Sequence, residues 1–247
     1  MAGHLSASWK ALRMLIHVLQ GMWTVAWRFP RLGALQKQAA VQDWAQQLLR
    51  KAGIALEVHG MPAVQGPVLL VSNHISWLDI PVMHAARFCR FVSKDDVRSW
   101  PLIGPLATAA GTLYIARNSR RDARRMVQAM AQSLQQGDVL AVFPEGTTGD
   151  GLSLLPFHSN LLQSAVKADA PVQPVALRFV DAEQQVSVAP SYAGDTSLWT
   201  SIWRTLRADG LVAQVHYGAL EYPEGRDRRA LSADIRQRIA AMAQIPE

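Results

Sequence analysis

The sequence predicts an α/β fold: a mixed, largely parallel sheet covered by helices and preceded by an N-terminal amphipathic helical hairpin. Three observations predict it. From residue 54 onward, runs suited to strands are separated by helical segments, the pattern of a sheet covered on both faces. Two of these runs, 68–71 and 139–143, are apolar throughout. Before residue 54 the apolar residues recur instead at helical spacing.

The elements follow in order. Leu5, Trp9, Leu12, Ile16, Leu19, Trp23 and Trp27 recur at spacings of four and three, which is one helix face. Ala11, Leu15, Val18, Met22 and Val25 widen it, and Lys10, Arg13, His17, Gln20 and Thr24 form a narrow polar stripe. Pro30 and Gly33 break this helix, and 34–52 reads as a second amphipathic helix ended by Gly53. Residues 1–52 are therefore expected to form a hairpin ahead of a separate α/β domain, 53–247. In that domain strands are expected at 54–58 and 68–71, a helix at 77–87, and strands at 90–93 and 111–116. A helix over 119–136 has Ser119 as its N-cap and Gly137 as its stop. Strand 139–143, helix 159–169, strand 172–179, a polar segment, helix 197–207, strand 211–217 and helix 227–243 complete the chain. No internal repeat or low-complexity linker interrupts 54–247.

Composition narrows the function. The chain has 247 residues, 49% of them hydrophobic and 18% charged, which excludes disorder and collagen-like repeats. A single cysteine, Cys89, excludes a disulfide scaffold and any cysteine-based zinc site. The net charge of +6 points to an anionic partner. Residues 1–50 carry Lys10, Arg13, Arg28, Arg31, Lys37 and Arg50 against Asp43 alone, together with Trp9, Trp23, Trp27 and Trp44. Tryptophan beside Lys/Arg and aliphatic residues is an interfacial membrane composition. Nucleic-acid binders carry a denser basic stripe or a recognisable motif, and neither is present. The apolar stretch 11–27 reaches only ~26 Å at ~1.5 Å per residue, short of a ~30 Å hydrocarbon core. A helix embedded in one leaflet is expected, with packing on the protein's own core as the alternative. No small-x-small cleavage site precedes Arg28, Phe29 and Pro30, so signal-peptide cleavage is not expected.

Chemistry is concentrated in four islands. Ser72 to Asp79 follows the first apolar strand, where α/β sheets place active sites. His74 and Asp79 are five residues apart and share no face of a regular helix. They meet only if His74 lies in the turn before the helix and Asp79 one turn inside it. The aspartate then holds one ring nitrogen and leaves the other as a general base. The alternative is a histidine capping the helix and a solvated aspartate. Gly111 to Arg117 is a strand ending in an arginine suited to bidentate phosphate binding. The arginines at 120, 121, 124 and 125 read as a solvated or membrane-facing surface. Val142 to Thr148 closes a strand and enters a glycine-rich loop whose backbone N–H groups suit a phosphate or an oxyanion. The fourth island is Pro171 to Leu177.

In this order the islands resemble the glycerolipid acyltransferase family, whose pattern is N-H-x-x-x-x-D, a glycine-to-arginine strand, F-P-E-G-T and a proline-valine strand. The resemblance covers about residues 65–180. It implies an α/β domain preceded by membrane-bound helices. It implies transfer of a fatty acyl group from a thioester donor, acyl-carrier protein or acyl-CoA, to the free hydroxyl of 1-acylglycerol-3-phosphate, giving phosphatidic acid. By the same resemblance His74 and Asp79 are catalytic, and Asn73, Arg117, Glu145, Gly146 and Thr147 bind substrate. Arg117 and the Gly146/Thr147 backbone are expected at the acceptor phosphate; Glu145 is expected on a glycerol hydroxyl or on Arg117. No cofactor and no metal are expected, and the location implied is the cytoplasmic face of the inner membrane, peripheral or monotopic. Thr148 stands where many relatives carry a basic residue, and Ala116 where many carry an acid. The first departure raises a different acceptor, such as a lyso-ornithine lipid. A membrane-surface binding protein with a dead site is the rival from another class. A thioesterase or phospholipase lacks the G-x-S-x-G elbow here.

Overall fold

The computed structural model describes residues 2–115 and 119–245. Its seven strands are β1 (Ala55–His59), β2 (Val68–Ser72), β3 (Arg90–Lys94), β4 (Leu113–Ile115), β5 (Val139–Val142), β6 (Val172–Val180) and β7 (Val212–Tyr217). They form one sheet in the order β1-β7-β6-β2-β5-β3-β4. β6, β2, β5, β3 and β4 run parallel, whereas β7 is antiparallel to β6 and carries β1 parallel to itself. The sheet is therefore mixed and largely parallel, as the alternation of strands and helices predicts. β2 lies between β5 and β6, in register Val68↔Val139 and Leu69↔Val172. The carboxyl ends of β2, β5, β3 and β4 consequently open on one edge.

Both faces of the sheet are covered, which is why β2 is buried throughout. Val68 and Leu70 face one core, shared with α3 (Asp79–Ala86), α2 (Ala34–Ala52) and α7 (Leu198–Arg207). Leu69 and Val71 face the other, shared with α5 (Arg120–Gln135), α6 (Gln163–Ala168) and α8 (Arg228–Ala243). Ser119 caps α5 by accepting the Asp122 N–H at 3.1 Å. The expected helix at 159–169 shortens to α6, with turns before it. A further helix, α4 (Ile103–Ala109), follows a 3-10 turn over Asp95–Ser99. Pro101, Gly104 and Pro105 hide it from a propensity reading.

The hairpin is part of this packing. The division drawn at residue 52 falls beside Gly53, the left-handed cap of α2, but the core runs across it. Ala45, Leu49 and Ala52 are buried in the same cluster as Val68 and Leu177. Gln42 and Gln46 donate to the carbonyls of Ala85 and Ala86. Residues 1–52 thus share a core with the α/β domain.

α1 (Ala2–Trp27) presents its large apolar residues outward. Trp9, Leu12, Leu15, Ile16, Leu19, Trp23 and Trp27 are 45–60% exposed; the Leu5 side chain lies outside the described ones. The inward side carries small and polar residues, with Met14 packed on the core beside them. Ala7 is fully buried, and a Cβ on Gly21 would come within 2.5 Å of the Trp44 indole. Lys10 Nζ donates to the Leu206 carbonyl at 3.1 Å. His17 stacks on Trp44 at 5.2 Å, with Nε2 2.9 Å from the Trp44 carbonyl. The helix is therefore inverted relative to an ordinary surface helix. It touches α7 and α4. α7 leads to Val212, paired with Val180 at the carboxyl end of β6, and α4 follows the carboxyl end of β3. α1 so lies along the edge at which the central strands end.

Candidate active site

β2 delivers His74 two residues beyond its last residue, Ser72. The expected helix at 77–87 begins only at Asp79, because that carboxylate caps the turn before it. Asp79 Oδ2 accepts the N–H of Ile75 at 2.6 Å and of Ser76 at 2.9 Å, and meets His74 Nδ1 at 2.7 Å. Asp79 is fully buried and the His74 side chain is 19% exposed. The pair meets in the way its spacing requires, with one difference: Asp79 is the first helical residue rather than one turn inside. With Nδ1 held by the carboxylate, Nε2 is the ring nitrogen left for proton transfer.

The loop after β5 fixes the same turn from the other side. The Glu145 carboxylate, 5% exposed, accepts the His74 N–H at 2.8 Å and the Leu155 N–H at 3.0 Å. Gly149 N–H donates to the His74 carbonyl at 2.7 Å. Burial pushes the Glu145 carboxyl above its ordinary range, and the two backbone donors pull it part of the way back. Both carboxylate oxygens thus bind backbone, and Glu145 holds the histidine segment in place. Asn73 is bound to backbone in the same way. It is 1% exposed, accepts the Leu177 N–H at 2.8 Å and donates to the Leu177 carbonyl at 3.0 Å. It ties the exit of β2 to β6.

Gly146 and Thr147 lie exposed at the mouth of the loop. Gly146 takes φ +73°, a left-handed conformation that favours glycine, and its N–H donates to the Phe143 carbonyl at 3.2 Å. Of the two, Thr147 alone keeps an N–H without a partner among the described residues. Thr148 donates its hydroxyl to the Tyr192 carbonyl. Arg117 lies outside the described residues; β4, which precedes it, ends at Ile115 on the same sheet edge.

Sequence reasoning missed three parts of this arrangement. Phe143 stacks on the His74 ring, with centroids 4.0 Å apart and planes 10° from parallel. The residue belongs to a recognised island, but nothing local says which ring it meets. The polar segment before α7 closes the turn from a third side. Ser76 and Ser201 both donate to the Pro190 carbonyl, at 2.6 and 2.8 Å, and Tyr192 N–H donates to the Ile75 carbonyl at 3.1 Å. Lys94, exposed at the carboxyl end of β3, is a cation at the same edge. Its position at a strand end was the available signal.

A buried carboxylate, an imidazole held at Nδ1 and an exposed N–H are together chemically able to serve as a general base and an anion donor. Residues 55–178 match the protein family described as Acyltransferase. The chain is 40% identical over 209 residues to a 1-acyl-sn-glycerol-3-phosphate acyltransferase of Neisseria meningitidis, covering 83% of this chain and 81% of the relative. It is 37% identical over 238 residues to a lyso-ornithine lipid O-acyltransferase of Pseudomonas aeruginosa, covering 93% of this chain and 90% of the relative. The fold resembles that of the 1-acyl-sn-glycerophosphate (LPA) acyltransferase of Thermotoga maritima, with a TM-score of 0.67 at 17% identity over 95% of this chain and 96% of that one.

Proposed function

The chain is an O-acyltransferase of the acyltransferase family, and from that premise we propose that it acylates the free hydroxyl of 1-acylglycerol-3-phosphate from a thioester donor, acyl-CoA or acyl-carrier protein, giving phosphatidic acid. The observation that supports this most is His74 Nδ1 held at 2.7 Å by a fully buried carboxylate. His74 Nε2 takes the hydroxyl proton as the acceptor oxygen attacks the thioester carbonyl. Asp79 stabilises the imidazolium that forms. The Thr147 N–H is the donor offered to the developing oxyanion or to the acceptor phosphate. When the tetrahedral intermediate collapses, the C–S bond breaks and the leaving thiolate receives the proton from Nε2. The acceptor oxygen is the nucleophile, so the step uses no covalent enzyme intermediate. Base catalysis supplies about 10²–10⁴-fold of the rate; positioning and charge stabilisation supply the rest. Arg117 remains the arginine assigned to the acceptor phosphate, and Lys94 is a cation at the carboxyl end of β3.

The membrane is the surface for α1. Among the described residues no helix is long and apolar enough to cross a bilayer. The outward stripe from Trp9 to Trp27 suits insertion into one leaflet, with Arg13, Arg28 and Arg31 at the headgroups. That α1 lies along the edge that carries His74 supports a site open to the lipid surface, where a lysolipid resides, and we assign that surface to the cytoplasmic leaflet of the inner membrane. High salt should then release little protein and detergent nearly all of it; complete extraction by salt contradicts the embedded helix.

Thr148 favours a second acceptor, a lyso-ornithine lipid: it offers no positive charge, and its hydroxyl is taken by Tyr192. Purified full-length protein given a labelled acyl thioester and both acceptors decides between them. Labelled phosphatidic acid supports the first reading, and labelled ornithine lipid alone replaces it with the second.

A further inference from the structure

A second place for a lipid phosphate lies at the carboxyl end of α1, sharing no residue with the His74 site. We infer that the open cleft of about 540 Å³ between α1, the start of α2 and α4 binds the phosphate of an anionic bilayer phospholipid that is not the substrate. Val25, Phe29, Pro30, Pro105 and Ala109 give it an apolar floor, and Lys37 and Arg98 give it two cations.

Among the described residues neither cation is neutralised. Among the described residues the Lys37 side chain has no hydrogen bond or ion pair, and the one partner of the Arg98 guanidinium is the Tyr114 ring, 5.9 Å away. That ring is itself fixed. Its hydroxyl lies 3.0 Å from Thr108 Oγ1 and donates to the Gly104 carbonyl at 3.2 Å. Arg98 therefore rests on a held platform with its N–H donors free. Unpaired Lys and Arg over an apolar floor complement a phosphate ester attached to an acyl chain. A free anion would use the cations and leave the floor wet. Phe29 and Pro30 of the cleft follow just after Trp27, the last residue of the outward stripe, so the cleft lies at the end of that stripe. The assignment rests on the membrane-facing reading of α1 and adds a headgroup-selective contact to it.

The test uses full-length protein in zwitterionic micelles, with the methyl resonances of Val25 and Ala109 followed during titration with dihexanoyl-phosphatidylglycerol. Saturable shifts are expected. Glycerol phosphate at the same concentration should produce none, and dihexanoyl-phosphatidylcholine should bind more weakly. The Lys37→Gln/Arg98→Gln variant should weaken binding about tenfold or more, the loss expected for two cations near a lipid phosphate. It should keep its turnover at saturating substrate, which reports an intact fold. Equal affinity in wild type and variant overturns the assignment, as do equal shifts with glycerol phosphate. If the wild type sediments with phosphatidylcholine vesicles but shows no saturable shift, the cleft assignment falls and the membrane reading stands. If it does not sediment, the membrane reading itself falls.

Discussion

Asp79→Asn separates charge from geometry at the candidate dyad. The amide is nearly isosteric, and its oxygen can still accept the Ile75 and Ser76 N–H groups that Asp79 Oδ2 takes at 2.6 and 2.9 Å. The turn should therefore persist, with each bond weakened by about 1 kcal/mol because its acceptor is no longer ionised. The imidazolium loses more. With the ring nitrogen and carboxylate oxygen 2.7 Å apart, the charge centres lie ~4 Å apart, which is ~4 kcal/mol at an effective dielectric of ~20. At about 1.4 kcal/mol per decade this is roughly a 10³-fold loss in kcat. The acceptor KM should move little, because the charge forms only as the proton transfers. The assay is initial rate with labelled acyl thioester over a range of lysolipid, on protein whose thermal unfolding shows a single native transition. A folded Asp79→Asn enzyme within tenfold of wild-type kcat would refute the assignment of Asp79 to the imidazolium.

Three further outcomes are expected. Phe143→Ala removes a stacked ring 4.0 Å from His74; kcat should fall up to about tenfold for the ~0.5–1.5 kcal/mol of a ring pair, with KM unchanged, and Phe143→Tyr should restore it. Glu145→Gln offers one acceptor where His74 and Leu155 N–H need two. Unfolding in urea should show a loss of about 1–3 kcal/mol, and an unchanged midpoint would show that the carboxylate does not hold the turn. His84 is fully buried between Phe88 and Phe91, and burial lowers its pKa from 6.5 to about 4. The unfolded chain therefore binds the extra proton first as pH falls from 6.5 to 4, and stability should drop by about 3 kcal/mol across that window. His84→Phe should flatten that part of the pH profile, measured as urea midpoints at each pH.

What could be read from the sequence was local. The apolar run of β2 announces a central strand, and His74 just beyond it announces a site, because both signals sit within a dozen residues. The His74/Asp79 spacing even sets a condition, a turn before the helix, that the fold meets. Helical periodicity likewise identifies the α1 stripe. It does not say which side faces the protein, since that depends on Trp44, Leu206 and the other groups that α1 meets. Contacts of long range are silent in the same way. Asn73 and Leu177 are 104 residues apart, and Glu145 reaches a backbone N–H 71 residues back. A polar side chain beside the candidate histidine reads as a substrate ligand in the sequence, and only the fold shows the distant backbone groups that it holds. α4 escaped for a different reason: its Gly and Pro residues carry loop propensity, and packing against α1 overrides it.

The central claim is that His74 deprotonates the acceptor hydroxyl. It is tested most directly by His74→Ala in full-length protein, with labelled acyl thioester and 1-acylglycerol-3-phosphate at saturating concentration. Folding is checked in parallel by thermal unfolding. Labelled phosphatidic acid should form with the wild type and fall to the uncatalysed background with the folded variant. Product formed by His74→Ala at a rate near that of the wild type would contradict the account.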